Sequence, residues 1–475
     1  MNRNIIQKTI LDLQYNASVD AIALQRSVSA WANEELLSIL DIQLQKADKD
    51  GTLIKIDRLD IQIDLSEKEG MIEQLSKKIN EQLSFVLKKV LEAKTPTISI
   101  ESIQLSGSFA EEVLFFIEHG NLPWWSRINK QQDLLEQLLA FIDSEPGPGF
   151  INSLKNLVVN VNVQKRLVWQ FPNAIFYRII YWLAPSFQSY LPALTKEIDQ
   201  IRPLVAQQEM RSIEGVFKDS VLASIEKQAR NITADSIMRS FIEGLENAGL
   251  GSTIKEKINI VDTPVLKKYL TEAKNEPLRK RSVKKKEISG TSHLSKQAEG
   301  SNKELISIPA SEGIYINNAG LVIIAGFLPH FFKRVGIIND NVITEKSKAA
   351  CLVQFLASGN ETIAEFDLGI SKLLCGVEVD EAIETAIVLS DNEKGEANEL
   401  LLSVIGHWNI LGDTSVQGFR ESFLMRKGKL WFENEEWHLL VEQKSYDMLL
   451  QQLPWSFNII RLPWMQYPLR TGWAY

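Results

Sequence analysis

Lys429-Leu430-Trp431-Phe432, then Glu433-Asn434-Glu435-Glu436, then Trp437-His438-Leu439-Leu440-Val441: this stretch decides the fold class. Two short apolar runs flank four polar residues that include an Asn, and the pattern predicts a β-hairpin. The hairpin sits inside a tail running from Ile405 to Trp473. That tail opens with Ile405-Gly406-His407-Trp408 and continues through Gly418-Phe419-Arg420-Glu421-Ser422-Phe423-Leu424-Met425-Arg426. It closes with Leu453-Pro454-Trp455 and Leu462-Pro463-Trp464-Met465. Six of the eleven tryptophans fall here: Trp408, Trp431, Trp437, Trp455, Trp464 and Trp473. A buried indole needs a partner for its N–H. A cluster this dense implies a packed module or a docking surface and does not by itself imply an active site.

Upstream of the hairpin, helical patterns dominate the C-terminal region. Glu345–Ser358 places Ala349, Leu352, Val353, Phe355 and Leu356 on one side. Residues 393–411 predict a long helix ending at Gly412. Ile314 and Ile316 read as a strand, Asn317-Asn318-Ala319-Gly320 as a turn and Leu321-Val322-Ile323-Ile324 as an apolar run of strand or short-helix length, with Pro329 as a breaker. Ile459–Leu462 reads as a final short strand. Before this region, residues 274–311 lose their large apolar side chains and carry the basic runs Arg279-Lys280-Arg281 and Lys284-Lys285-Lys286. Such a composition buries too little surface to offset its ordering entropy and reads as a flexible linker.

Residues 107–273 predict a mainly helical domain, with helices near 131–142, 150–170, 173–183, 196–228 and 233–247. Pro146-Gly147-Pro148-Gly149 and Gly249-Leu250-Gly251 are its breaks. Phe116-Ile117-Glu118-His119-Gly120-Asn121 and Phe355-Leu356-Ala357-Ser358-Gly359-Asn360 each predict a helix closed by a glycine cap. Residues 1–106 predict a small α+β domain. It has helices over 17–47, capped by Ser18, and over 72–90. Its strands are 53–65, with a slip near Asp57-Arg58, and 97–105. The expected fold class is therefore α+β and predominantly helical. It is multi-domain, with small strand elements near 53–65, 97–105, 314–324 and 429–462. The domains are 1–106, 107–273, the linker 274–311, and the Trp-rich 312–475.

The chain has 475 residues, enough for several domains, and its 45% hydrophobic and 24% charged content is that of a globular protein. A net charge of −8 supplies no global basic field for nucleic acid. Cys351 and Cys375 cannot form a disulfide framework or a metal-type spacing, and read as small buried hydrophobes. No window reaches the ~20 apolar residues of a membrane helix. The N-terminus lacks the apolar run of a signal peptide. A cytoplasmic protein, or one incorporated into a particle assembled there, is expected.

Candidate chemistry is sparse. The histidines His119, His293, His330, His407 and His438 form no metal-ligand spacing. His407 beside Trp408 is the most tempting base, yet no nucleophile accompanies it, and a core or interface histidine is the preferred reading. The run from Gly406 to Thr414 lacks the Lys of a phosphate-binding loop. Glu442 and Asp447 suit surface solvation, or an N-terminal helix cap involving Ser445 or Asp447, better than acid/base work. Phe419 and Phe423, at i and i+4, predict a shared buried face with Arg420 at its edge. Arg420 and Arg426 call for carboxylate partners, within the chain by default or on another protein. No catalytic, cofactor-binding or metal residues are assigned. The candidate docking residues are Trp408, Phe419, Arg420, Phe423, Trp437, Trp455 and Trp464, because aromatics and Arg anchor interfaces.

The C-terminal wording resembles the tape measure proteins of contractile injection systems, the phage-tail-like particles with a sheath and an inner tube. The resemblance rests on Asn318-Ala319-Gly320-Leu321-Val322-Ile323-Ile324 with Phe327-Leu328-Pro329, Lys372-Leu373-Leu374-Cys375-Gly376 and His407-Trp408-Asn409-Ile410-Leu411. It continues through Gly418-Phe419-Arg420, Phe423-Leu424-Met425-Arg426, Leu453-Pro454-Trp455 and Pro463-Trp464-Met465. It covers roughly residues 313–473. Ile56-Asp57-Arg58-Leu59-Asp60-Ile61 and Gly120-Asn121-Leu122-Pro123-Trp124-Trp125 look similar to the family's N-terminal parts.

The resemblance implies a non-enzymatic structural role in assembling the particle, with the tape measure setting the length of inner tube and sheath. The implied partners are inner tube, baseplate or cap proteins, with no nucleic acid and no membrane anchor; self-association stays open. The alternative is an assembly chaperone or adaptor for those components or for cargo, absent from the finished particle. An enzyme with a novel site has no residue in its favour.

Overall fold

The computed structural model describes residue 6 and residues 9–14, 20–47, 52–56, 59–65, 70–92, 100–144, 146–226, 234–258, 263–268 and 313–473. The chain is a predominantly helical α+β protein whose strands are few and short. It divides into two compact units, Met1–Glu112 and Val113–Tyr475.

In the first unit, Ala21–Trp31 and Leu37–Ala47 are α-helical and are joined by a π-helical turn, Ala32–Leu36. The cap is Asp20, whose carboxylate accepts from the N–H groups of Ile22 and Ala23 at 3.0 and 3.2 Å. Ser18, the expected cap, lies outside the described residues. Val28, Trp31 and Leu36 pack with Ile79 of the helix Met71–Glu92. A polar chain runs beside this core: Trp31 Nε1 donates to Ser76 Oγ, which donates to Glu35, both at 2.6 Å.

β1 (Thr52–Ile56) pairs antiparallel with β2 (Ile100–Gln104). The expected strand 53–65 is thus only partly laddered. Leu59, Ile61, Ile63 and Leu65 alternate half-buried with exposed neighbours, but have no strand pairing. Alternation reports which side chains are covered, not whether a neighbouring strand supplies hydrogen bonds. The slip at Asp57-Arg58 lies outside the described residues.

In the second unit, the helices Gln131–Asp143, Pro148–Leu157, Val161–Gln170, Asn173–Leu183, Leu191–Asp199, Gln207–Glu226, Ala234–Asn247 and Gly251–Ile258 build the helical section. Two expected helices are split. The 150–170 pattern breaks at 158–160, where Asn160 caps the next helix by accepting from Asn162 N at 2.8 Å. The 196–228 pattern breaks at a 3-10 turn, Arg202–Leu204, around Pro203. Pro148 stands in the first turn of a helix, where its missing N–H costs nothing.

The C-terminal section holds a five-stranded sheet and one two-stranded companion. β3 is Ile314–Ile316, β4 Ile338–Asn339, β5 Val342–Ile343, β6 Gly428–Glu433, β7 Glu436–Val441, β8 Ile459–Ile460 and β9 Leu469–Gly472. The sheet order is β3-β6-β7-β9-β8, antiparallel except for the β7–β9 pair. The expected hairpin is β6–β7. Its two turn residues, Asn434 and Glu435, have φ of 53° and 60°, the mirror-image turn that matches strand twist. Asp340 and Asn341 make the same kind of turn between β4 and β5.

The strand expected near 314–324 is confined to Ile314–Ile316. Leu321–Ile324 lies within a 3-10 segment, Ala319–Phe327, with residues 319–325 all buried. A run buried on every side carries no period, so strand and helix cannot be told apart from it. Pro329 does not stop the chain here; it occupies the first turn of the helix Leu328–Arg334. Lys346–Ser358 ends at Gly359 with φ 71°, the expected glycine cap, and Gly120 after the helix Leu105–His119 has φ 70°. The long helix is Asp391–His407, opened by a capping box between Ser390 and Glu393. It gives way to a 3-10 turn, Asn409–Leu411, before Gly412.

Candidate docking surface and the buried charge network

The helix Val416–Phe419 passes into a π-turn, Arg420–Leu424, and turns Phe419 and Phe423 inward together. Both are buried against Trp408, with ring centroids at 6.4 and 4.8 Å. Trp408 has no exposed surface, so it holds the core of this section together. His407, its neighbour, is exposed, and Nδ1 lies 2.6 Å from the carbonyl of Ser403. Of the two readings of His407, core or interface, its exposure rules out the core, whereas Trp408 beside it is buried.

Arg420 is buried, and its guanidinium has no carboxylate partner among the described residues. It donates to the carbonyls of Leu356 and Phe355 at 3.1 and 3.4 Å and to Asn398 Oδ1 at 3.1 Å. It therefore caps the C-terminus of Lys346–Ser358, where free carbonyls and the helix dipole favour a cation. The default of an intrachain ion pair fails for Arg420 and holds for Arg426.

Arg426 meets both oxygens of Asp447 at 2.8 and 2.6 Å, and both side chains are buried. The guanidinium carbon lies 5.2 Å from the Tyr446 ring centre and 5.3 Å from that of Trp473. Trp473 Nε1 donates to Asp447 Oδ2 at 2.9 Å, and the same oxygen accepts from Lys444 N at 2.8 Å. Asp447 is not a solvated surface group. It ties the C-terminal strand to the turn Ser445–Gln452, whose start it also caps.

Three candidate docking tryptophans are half-buried. Trp437 packs on Phe432 at 5.2 Å, Trp455 Nε1 donates to Ile323 O, and Trp464 Nε1 donates to Leu374 O, both at 2.8 Å. The outer face of the sheet adds residues the sequence reading did not single out for this role. Trp431 stacks on His438 at 5.3 Å, and Tyr315, Leu440 and Ile459 are exposed. Strand alternation puts them on the face opposite Leu430, Leu439 and Leu469.

A second network escaped the sequence reading altogether. Arg166 of the helical section pairs with Glu365 of the C-terminal section, Nε to Oε2 at 2.9 Å and Nη2 to Oε1 at 3.0 Å. Neither side chain is exposed. Arg166 also donates to the carbonyls of Ile117, Glu118 and Asp380. Lys372 donates to Glu365 Oε1 at 2.8 Å and to the carbonyl of Val379. Burial pulls the Lys372 pKa below the usual ammonium value, against the raising effect of Glu365. The one sequence trace of this network is a lysine inside the apolar run Ile370–Leu374.

Other chemistry is thin. A cleft of about 240 Å³ is lined by residues including Tyr177, Asp199 and Glu214, and Arg202 holds both carboxylates. Among the described residues no group of three His, Cys, Asp or Glu is placed to hold a metal ion. No described helix is long and apolar enough to cross a membrane.

No curated protein and no solved structure matches the chain. A family model described as contractile injection system tape measure protein matches residues 3–473, nearly the whole sequence. The chain belongs to the contractile injection system tape measure protein family.

Proposed function

We propose that this chain is a non-enzymatic structural component of a contractile injection particle and takes part in setting the length of its inner tube and sheath. The observation that supports this reading is the family match over residues 3–473, which leaves neither compact unit outside the family. The longest continuous helical run among the described residues is 21–47. At ~1.5 Å per residue it spans about 40 Å. Among the described residues no helix is long enough to serve as a preformed rod. Length is set either by opening of the compact units or by several copies.

The partners are inner tube, baseplate or cap proteins, and the chain is cytoplasmic until it joins them. The C-terminal section carries the docking. Trp437, Trp455 and Trp464 keep part of their surface, while Trp408, Phe419, Phe423 and Arg420 fix the scaffold beneath. The test is to purify particles from cells expressing the tagged full chain and quantify it against the tube protein. A constant copy number per particle, with loss of particles on deletion, supports the reading. Finished particles devoid of the chain would favour an assembly chaperone instead.

A further inference from the structure

We propose that the helical section (113–258) and the C-terminal section (313–473) are two bodies joined by a releasable polar clasp. Its centre is the Arg166–Glu365–Lys372 cluster, and the two bodies part there with each core intact. The first support is where the apolar core lies. The cluster of buried hydrophobic residues in the C-terminal section runs from Ile314 to Trp473 and includes no residue of the helical section. Ala364, Phe366 and Ala382 are buried outside that cluster, so a small apolar contact accompanies the polar bonds that cross between the two.

Besides the ion pair, Gln170 Nε2 donates to Ile383 O at 2.8 Å, and Thr385 Oγ1 donates to Gln170 Oε1 at 3.0 Å. Arg211 donates to Ala386 O at 2.9 Å, and Phe116 meets Phe366 edge-on at 6.2 Å.

The second support is energetic. Separating two apolar faces exposes surface that water hydrates poorly. Separating a buried ion pair returns both charges to water, which recovers most of what desolvation took. A clasp of this kind fixes one arrangement while leaving it cheap to open. Two cations share the Glu365 carboxylate here, and Asp380 is the other negative charge that acts on Lys372.

The third support is Gly120. A Cβ there would lie 2.5 Å from Glu365 Oε1 and 2.7 Å from Arg166 Nη2, so the clasp closes onto a position that only glycine fills. Gly120→Ala therefore strains the clasp, together with the left-handed helix cap at φ 70°, without removing any of its charges.

The clasp rests on the length-setting reading only for its use in the particle. It is tested on the purified full chain, so its failure leaves particle lengths untouched as evidence. The probe is iodoacetamide labelling followed by mass spectrometry. Thr385→Cys and Gln170→Cys, made separately, report the two sides of the clasp. Native Cys351 and Cys375, both fully buried, report the C-terminal core, and Ser220→Cys reports the helical section.

Both clasp thiols are expected to react at least tenfold faster than the core thiols. Glu365→Gln and Gly120→Ala are each expected to accelerate both clasp thiols about tenfold or more. A common rate for all the thiols would mean that the unit opens as one piece. Reaction of only one clasp thiol would mean local fraying. Indifference to both substitutions would mean that the cluster holds nothing shut. Any of these three results overturns the proposal. Should Glu365→Gln fail to fold, Gly120→Ala and the milder Arg211→Ala carry the same comparison.

Discussion

Arg166 and Glu365 stand 199 positions apart in the chain and meet in a two-pronged ion pair with neither side chain exposed. Removing the carboxylate leaves Arg166 and Lys372 buried without their ion-pair partner. Glu365→Gln should cost about 3–5 kcal/mol in urea denaturation of the full chain. Replacing the whole cluster by Arg166→Met, Glu365→Leu and Lys372→Met together should be neutral or stabilising, because the desolvation penalty goes with the charges. A cost below about 1 kcal/mol for Glu365→Gln would show that the pair is already hydrated.

Gly320 and Gly326 lie in the same 3-10 segment and predict opposite outcomes. A Cβ on Gly320 would fall 1.7 Å from the carbonyl oxygen of Phe423, a backbone atom that cannot step aside, whereas Gly326 has nothing within 4 Å. Gly320→Ala should destabilise by at least about 3 kcal/mol, the upper end for overpacking. Gly326→Ala should stay within about 0.5 kcal/mol. Thermal melts of the two variants decide the matter.

Burial pushes the Asp367 carboxyl up to about 6 from an ordinary 3.8, against the lowering effect of a hydrogen bond from Asn317. The folded state thus binds the proton more tightly than the unfolded chain. The stability this group contributes is fully present below pH 3.8 and is lost as pH rises through about 6. Asp367→Asn, which cannot ionise, should therefore be more stable than the natural chain at pH 8, by roughly 1–3 kcal/mol at 1.36 kcal/mol per pKa unit. The gain should shrink towards pH 4. A gain equal at both pH values would mean that the carboxyl does not titrate in this range.

Trp473 tests the closure of the C-terminal strand. Trp473→Phe keeps most of the buried area but loses the bond from Nε1 to Asp447. A hydrogen bond to a charged acceptor contributes about 1.5–3 kcal/mol, and the midpoint of chemical denaturation should fall accordingly. No change would mean that water replaces the indole beside Asp447.

Local chemistry made much of this fold legible. Asn434 marks the hairpin turn, Gly120 and Gly359 mark helix ends, and Phe419 with Phe423 marks a buried face, because each needs only neighbours in sequence. Leu321–Ile324 was legible as apolar but not as strand or helix, because a segment buried on all sides shows no periodicity. The tryptophans were legible as a cluster but not in their orientation. Trp408 turns fully inward while His407 turns out, a matter settled by packing. Arg166 reads as any cation of the expected 150–170 helix, and no neighbouring motif singles out Glu365. Nothing within a few residues of either shows that the other completes it.

The central claim is that this chain helps set particle length, and the most direct measurement is a length series. Residues 107–270 are deleted in one strain and duplicated in another, and particle lengths are read by electron microscopy. The account predicts shorter particles from the deletion and longer ones from the duplication, each with a narrow distribution. Assembled particles of unchanged length in both strains would contradict it.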